Sequence, residues 1–162
     1  MGKTDGPKRE LTITRVFDAP RELVWRAWTD PQLVKKWWGP RGVTTPTCEI
    51  DARPGGEMYI VMLAGKELGD FAGQEWPMRG TFQEIKPPER FVFKGAALDD
   101  KRGILLETST TLTLEKLGDK TKMTFHTVVT KTSPGSEFAI AGMEAGWTQS
   151  IDKLGEELAR HK

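Results

Sequence analysis

Apolar and polar residues alternate through LTITRVF, putting Leu11, Ile13 and Phe17 on one face, and this period of two predicts a strand. In DAPRELVWRAW the spacing becomes helical, with Asp18 placed to cap and Pro20 suited to a first turn. Thr29-Asp30-Pro31 interrupts that helix, and PQLVKKWW predicts a short second one, stopped by Gly39-Pro40. From about residue 44 to residue 130 the chain reads as successive strands. Turn signals divide them at Pro54-Gly55-Gly56, Lys86-Pro87-Pro88-Glu89 and Gly118-Asp119, with a longer Gly-rich loop over 65–74. Connections this short predict antiparallel neighbours, because parallel strands need long crossovers.

Alternation also assigns the faces. Met58, Ile60 and Met62 share one parity, as do Trp76, Met78 and Phe82, then Phe91 and Phe93, Leu112 and Leu114, and Met123, Phe125 and Val129. The opposite parity of the later strands holds Arg79, Gln83, Lys94, Thr111, Thr113, Glu115 and His126, so that face is wet. Tyr59, Val61 and Leu63 make the second face of their own strand apolar too. A helix is predicted over about 136–160, where Ile140, Met143, Trp147, Ile151, Leu154 and Leu158 form one stripe. A sheet with one apolar face and one amphipathic helix bury each other. The predicted architecture is α+β, a sheet curled around a long C-terminal helix, with the two short helices capping or buttressing one end. Gly142 and Gly146 lie off the stripe. Each costs about 1 kcal/mol relative to alanine, so they are expected to serve a bend, or, at Gly146, a close approach by a strand or the first helices.

Composition narrows the function. The 162 residues suit one domain, with 1–9 expected to be a disordered leader and 10–162 to fold. The formal charge of +1, from 24 basic and 23 acidic residues, gives no footprint for a nucleic acid or an anionic membrane. One cysteine precludes an internal disulfide and fits a reducing compartment, and no apolar run suits a membrane span or signal peptide. A soluble cytoplasmic protein is the expectation. Tryptophan is overused, six against one tyrosine, with Trp25, Trp28, Trp37 and Trp38 close together.

Two histidines and one cysteine at these positions form no metal-ligand spacing, and no phosphate-cradling or nucleophile-elbow motif occurs, so neither metal nor cofactor is expected. His126 is the general base by residue type, but its parity places it on the wet face. Cys48 shares parity with Ile50 and reads as a small hydrophobe. Arg15 has the parity of Leu11 and Ile13, and Glu144 sits about 40° around the helix from Ile140. These two either pair structurally at the rim or line a hydrated cavity as polar anchors for a ligand. The inward methionines fill either an ordinary core or a plastic cavity. Of Trp37 and Trp38, which point in different directions, one is expected to be buried and the other to meet solvent or ligand.

The stretches FDAPRELVWRAWTDPQLVKKWWGP, DARPGGEMYIVM, MRGTFQEIKPPERFVF and GMEAGWTQSIDKLGEEL, in this order, resemble the START-like SRPBCC superfamily. The resemblance is to its branch named for homologues of the activator of the heat shock protein 90 ATPase, and it covers about residues 11–160. It implies a helix-grip fold with an internal cavity, and relatives that range from lipid and hormone carriers to polyketide cyclases and a co-chaperone domain. The first functional expectation is therefore binding of a small hydrophobic or amphipathic molecule between sheet and helix. Its candidate contacts are Trp38, Met62, Trp76, Met78, Phe93, Met143 and Trp147, with Arg15 and Glu144 as anchors. The alternatives are a cyclase or dehydratase using acid–base groups in the cavity, and a protein-interaction or homodimer surface at Trp38 and Tyr59, Val61 and Leu63.

Overall fold

The computed structural model describes residues 10–99, 101 and 103–161; the expected leader over 1–9 lies outside these. Seven strands form one curled antiparallel sheet: β1 (Glu10–Phe17), β2 (Val43–Ile50), β3 (Glu57–Ala64), β4 (Glu75–Lys86), β5 (Arg90–Leu98), β6 (Ile104–Leu117) and β7 (Lys120–Thr132). Their order across the sheet is β1-β7-β6-β5-β4-β3-β2, a meander from β2 to β7 with β1 added beside β7. The helices are α1 (Arg21–Thr29), α2 (Pro31–Trp37), α3 (Glu137–Ala141) and α4 (Met143–Ala159). The α+β architecture read from periodicity, a sheet curled around a C-terminal helix, is the observed one, and it matches the helix-grip fold that the resemblance implies. Among the described residues, no helix is long and apolar enough to cross a membrane.

Because β1 and β2 occupy opposite edges, residues 18–42 must carry the chain from one side of the sheet to the other. Seven strands at their usual spacing span roughly 29 Å. Helices α1 and α2 make that crossing on the concave side, α1 packing on β6, β7 and α4, and α2 on β2 and α4. They do more than buttress one end, since Val24, Trp25, Trp28, Val34 and Trp37 all enter the main core. The capping signature falls one helix later than expected. Pro20, not Asp18, occupies the N-cap of α1, whereas the Asp30 side chain accepts from the Gln32 N–H at 2.9 Å to cap α2.

The face assignment survives in detail. Register pairs Phe91 with Leu112 and Leu112 with Phe125, and one step along pairs Phe93 with Thr110 and Thr110 with Thr127. These rows form the concave floor. On the other face, Tyr59 and Leu63 are half-buried and Val61 is buried, while the Arg79 guanidinium lies 5.3 Å from the Tyr59 ring centre. That segment is no open apolar patch.

The predicted single C-terminal helix is two. Gly142 separates α3 from α4 with φ −88° and ψ −3°, so one of the two glycines does mark a break. The close approach expected at Gly146 is absent, because a methyl group there would meet nothing within 4 Å. The nearby strand end is found at Gly155 instead, where an added methyl would touch the Phe17 ring at 3.4 Å. Gly146→Ala is therefore expected to stabilise the protein by up to about 1 kcal/mol. In a chain of this size that raises Tm by about 2–4 °C, measurable by thermal unfolding; a lowered Tm would show that the open flank is required.

Candidate functional site

The concave floor and the helices above it enclose an aromatic cluster. Trp28 projects from α1 and stacks on Phe125 of β7 and Trp147 of α4, with centroids at 5.9 and 6.2 Å and planes 21° apart in each case. Trp37 and Trp38 meet it edge-on, at 4.7 and 6.4 Å. Trp38 also stands edge-on to Trp147 at 5.0 Å. Edge-to-face and offset contacts of this kind match ring edge to ring face and add to what burial contributes. Of the two alternatives expected for one ring of the Trp37–Trp38 pair, meeting solvent or meeting ligand, the solvent one is not met. Both are buried, since α2 lies between β2 and α4 and has covered surfaces on both sides. The Trp37 indole N–H donates to the Ala27 carbonyl at 2.8 Å.

Phe93 lies in the same core, and its ring is seated by two glycines. Gly80 and Gly95 face each other across β4 and β5, and a methyl group on either would clash with that ring, at 2.2 and 2.7 Å. Met62, Met78, Met143 and Trp147 pack against this core but remain half-buried. Met143 also touches a second small core of Leu106, Val129 and Ile140, so it spans the gap between the two. Trp38, Phe93, Met62, Met78, Met143 and Trp147 are thus brought to one interior.

The remaining candidates are not. Trp76 stays with the 65–74 loop, its N–H on Gln74 at 3.2 Å and its ring 6.3 Å from that of Phe71. Arg15 has the inward parity but ends in an ion pair with Asp152 of α4 at 2.7 Å, both side chains well exposed. Glu144 is exposed. Eight helical residues separate Glu144 from Asp152, about 12 Å along the axis, so the two anchors do not converge. His126 lies on the outer face, 2.6 Å from Glu10 across the β1–β7 pair. Cys48 packs against the core, and burial pushes its thiol up to about 11, away from reactivity. A charged depression of 520 Å³ at the β2–β3 turn, lined by Glu49, Asp51, Arg53 and Glu57, lies outside this interior.

A polar pair also lies on the inner face. Thr110 has the parity of Leu112, and Thr127 that of Phe125, so both hydroxyls face inward. They are 8% and 2% exposed and bond each other, Oγ1 to Oγ1 at 2.8 Å. The pair interrupts the apolar floor between the two cores.

Charge concentrates instead on the C-terminal half of α4. Gln149 accepts from the Arg41 backbone N–H, Glu156 pairs with the Arg41 guanidinium, and Lys153 donates to the Gly39 carbonyl at 3.0 Å. Burial, with the Arg41 charge beside it, lowers the pKa of Lys153. Glu157 is the one buried ionisable side chain among the described residues. Arg160, His161 and Lys36 stand 2.7, 3.0 and 3.8 Å from its carboxylate.

The sequence matches a family model, Activator of Hsp90 ATPase homolog 1-like protein, over residues 18–159. The chain belongs to this family. Among solved structures, this family member resembles a protein of Nitrosomonas europaea at 28% identity and a TM-score of 0.75, covering 94% of this chain and 96% of that one. A protein of Arthrobacter aurescens gives 26% and 0.78, with 93% and 86% covered. The AHSA1 protein of Silicibacter pomeroyi gives 25% and 0.77, with 94% and 99% covered. No curated protein matches.

Glu157 carries a pH prediction. Burial raises its pKa, but the hydrogen bonds from Arg160 and His161 and the Lys36 charge outweigh that and hold it below the ordinary carboxylate value. A depressed folded pKa contributes stability above the unfolded value, lost as pH falls through the folded one. Denaturant midpoints should therefore drop as pH is lowered through about 4.5 and below. Glu157→Gln should lower stability at neutral pH and flatten that part of the acid slope; an unchanged slope would deny Glu157 the role.

Proposed function

We propose that this chain binds a small apolar or amphipathic molecule between the concave sheet and the N-terminal half of α4. One observation carries the reading: Met62, Met78, Met143 and Trp147 rest on a fully buried aromatic core yet are themselves half-buried. Two of them, Met143 and Trp147, belong to the stretch where the C-terminal helix breaks at Gly142 and where a side chain at Gly146 would meet nothing within 4 Å. Thioether side chains have three rotatable bonds and a polarisable sulfur, so a wall built from them yields to a ligand at little strain. Sites of this kind are mostly apolar with few polar groups, and the family's fold is one that grips a helix with a curved sheet.

A cyclase-type reading needs a titratable group within reach of a substrate proton. Arg15, Glu144 and His126, on which it rested, lie on the surface in ion pairs or exposed. A protein-docking reading needs a contiguous exposed patch, and Val61 and Trp38 are buried. Neither has a specific observation in its favour.

Tryptophan fluorescence and thermal shift against lipids, aromatic compounds and polyketides test the proposal, because Trp147 lines the opening. Saturable binding with a raised Tm is the expected outcome. Met143→Ala should weaken the best binder by roughly 1 to 2 kcal/mol, the burial of two to three methylene equivalents. Absence of any saturable binder across these classes overturns the reading.

A further inference from the structure

The interior holds two hydrogen-bond donors that the protein itself does not use. The Trp28 indole nitrogen is fully buried and has no acceptor, whereas its neighbour Trp37 is satisfied by Ala27. Thr110 and Thr127 share a single hydrogen bond, and among the described residues neither hydroxyl makes another. Whichever donates, the other hydroxyl keeps its own hydrogen unspent. Buried donors without partners are rare in folded proteins and call for an explanation.

Their placement is not scattered. Trp28 lies over the row Phe91–Leu112–Phe125, its ring 6.1 Å from Phe91 and 5.9 Å from Phe125. The threonine pair belongs to the next row, Phe93–Thr110–Thr127, two residues further along each strand, or about 7 Å. Met143 and Trp147, one turn apart on α4, reach the surroundings of both rows: Trp147 touches Phe125 at 4.4 Å, and Met143 bridges the two cores that flank the threonines. Trp28 therefore lies in the core against which Met143 and Trp147 pack, and the threonines lie between the two cores that Met143 joins.

Charge sets the other condition. Arg15 is consumed by Asp152, Glu144 faces solvent, and Glu157 is matched by Lys36, Arg160 and His161. Among the described residues, the one buried ionised side chain is already matched. The half-buried Arg21, at the first position of α1, has a buried Nε without a partner, but it stands at the helix end and not in the aromatic core, where an unpaired charge is strongly disfavoured. We infer that the interior recognises a neutral molecule through a hydrogen-bond-accepting oxygen, a ketone or ester carbonyl on an apolar body, with Trp28 and the Thr110–Thr127 pair as the donors. The inference rests on the binding reading above and adds the chemistry of the ligand.

Three probes of matched length separate the possibilities: 2-undecanone, undecane and undecanoate at neutral pH, titrated into the full chain by intrinsic fluorescence. The same samples, labelled with nitrogen-15, report the Trp28 indole N–H directly by NMR. The ketone is expected to bind about tenfold more tightly than the alkane and more tightly than the carboxylate, and to move the Trp28 indole proton downfield at saturation. Thr127→Val, close in shape, should reduce the preference for ketone over alkane and leave alkane affinity in place. Equal binding of ketone and alkane with an unmoved indole signal overturns the donor assignment while leaving the apolar site standing. Tightest binding by undecanoate overturns the neutral-ligand assignment. If no probe binds, this inference fails, while the binding reading is decided by the wider screen of lipids, aromatic compounds and polyketides.

Discussion

The placement of β1 and β2 at opposite edges of one seven-stranded sheet is the constraint on which the rest of the molecule depends. A single helix about 10 Å wide cannot cover a concave surface of that breadth. The segment that joins the two edge strands must cross on that side, and it is this crossing that carries Trp25, Trp28, Trp37 and Trp38 into the interior. A bulky indole reaches far from a short helix, so four of them fill depth that aliphatic side chains on α1 and α2 would leave empty. The overuse of tryptophan in one short window and the edge-to-edge topology are the same fact seen at two levels.

An aromatic plug of this kind is efficient at burial but brings one polar N–H with every ring. Trp37 finds a carbonyl on α1 because its ring lies against that helix, and Trp28, at the centre of the stack, has only ring faces and edges around it. The threonine pair has a comparable origin. Threonine suits a strand for its branched shape, and a cross-strand pair of them satisfies one hydroxyl by the other, leaving a small polar island in an apolar floor. Both features arise where filling a wide concavity with large or branched side chains meets the requirement that donors be paired.

Much of this was legible in the residues. Period-two alternation assigned the faces of β5, β6 and β7 as observed, including His126 outside and Phe125 inside, because the inner face of these strands is buried along its length. What stayed hidden depended on distant partners. Arg15 has an inward parity, yet nothing local shows that Asp152, far along the chain, will hold it at the rim. Helical periodicity likewise continues through Gly142 without registering the break, since a break changes direction and not spacing. Thr110 and Thr127 were readable from parity alone. Their neighbours Leu112 and Phe125, two positions away on the same strands, set them on the inner face.

The two halves of the C-terminal helix are held by different forces, and this decides where the molecule can open. From Gln149 onward, α4 is tied to the rest of the chain by Arg41, Arg15, Gly39 and Lys36, alongside the buried Ile151, Leu154 and Leu158. Before Gln149, the apolar Ile140, Met143 and Trp147 carry the contact with the rest of the chain. Exposed ion pairs stabilise little one by one, but directional bonds on two sides of a helix fix its rotation, which non-directional apolar contact does not. The N-terminal end, jointed at Gly142 and resting on methionine, is therefore the segment of lower local stability. A ligand that replaces Met143 and Trp147 contacts with its own apolar surface restores what their displacement removes.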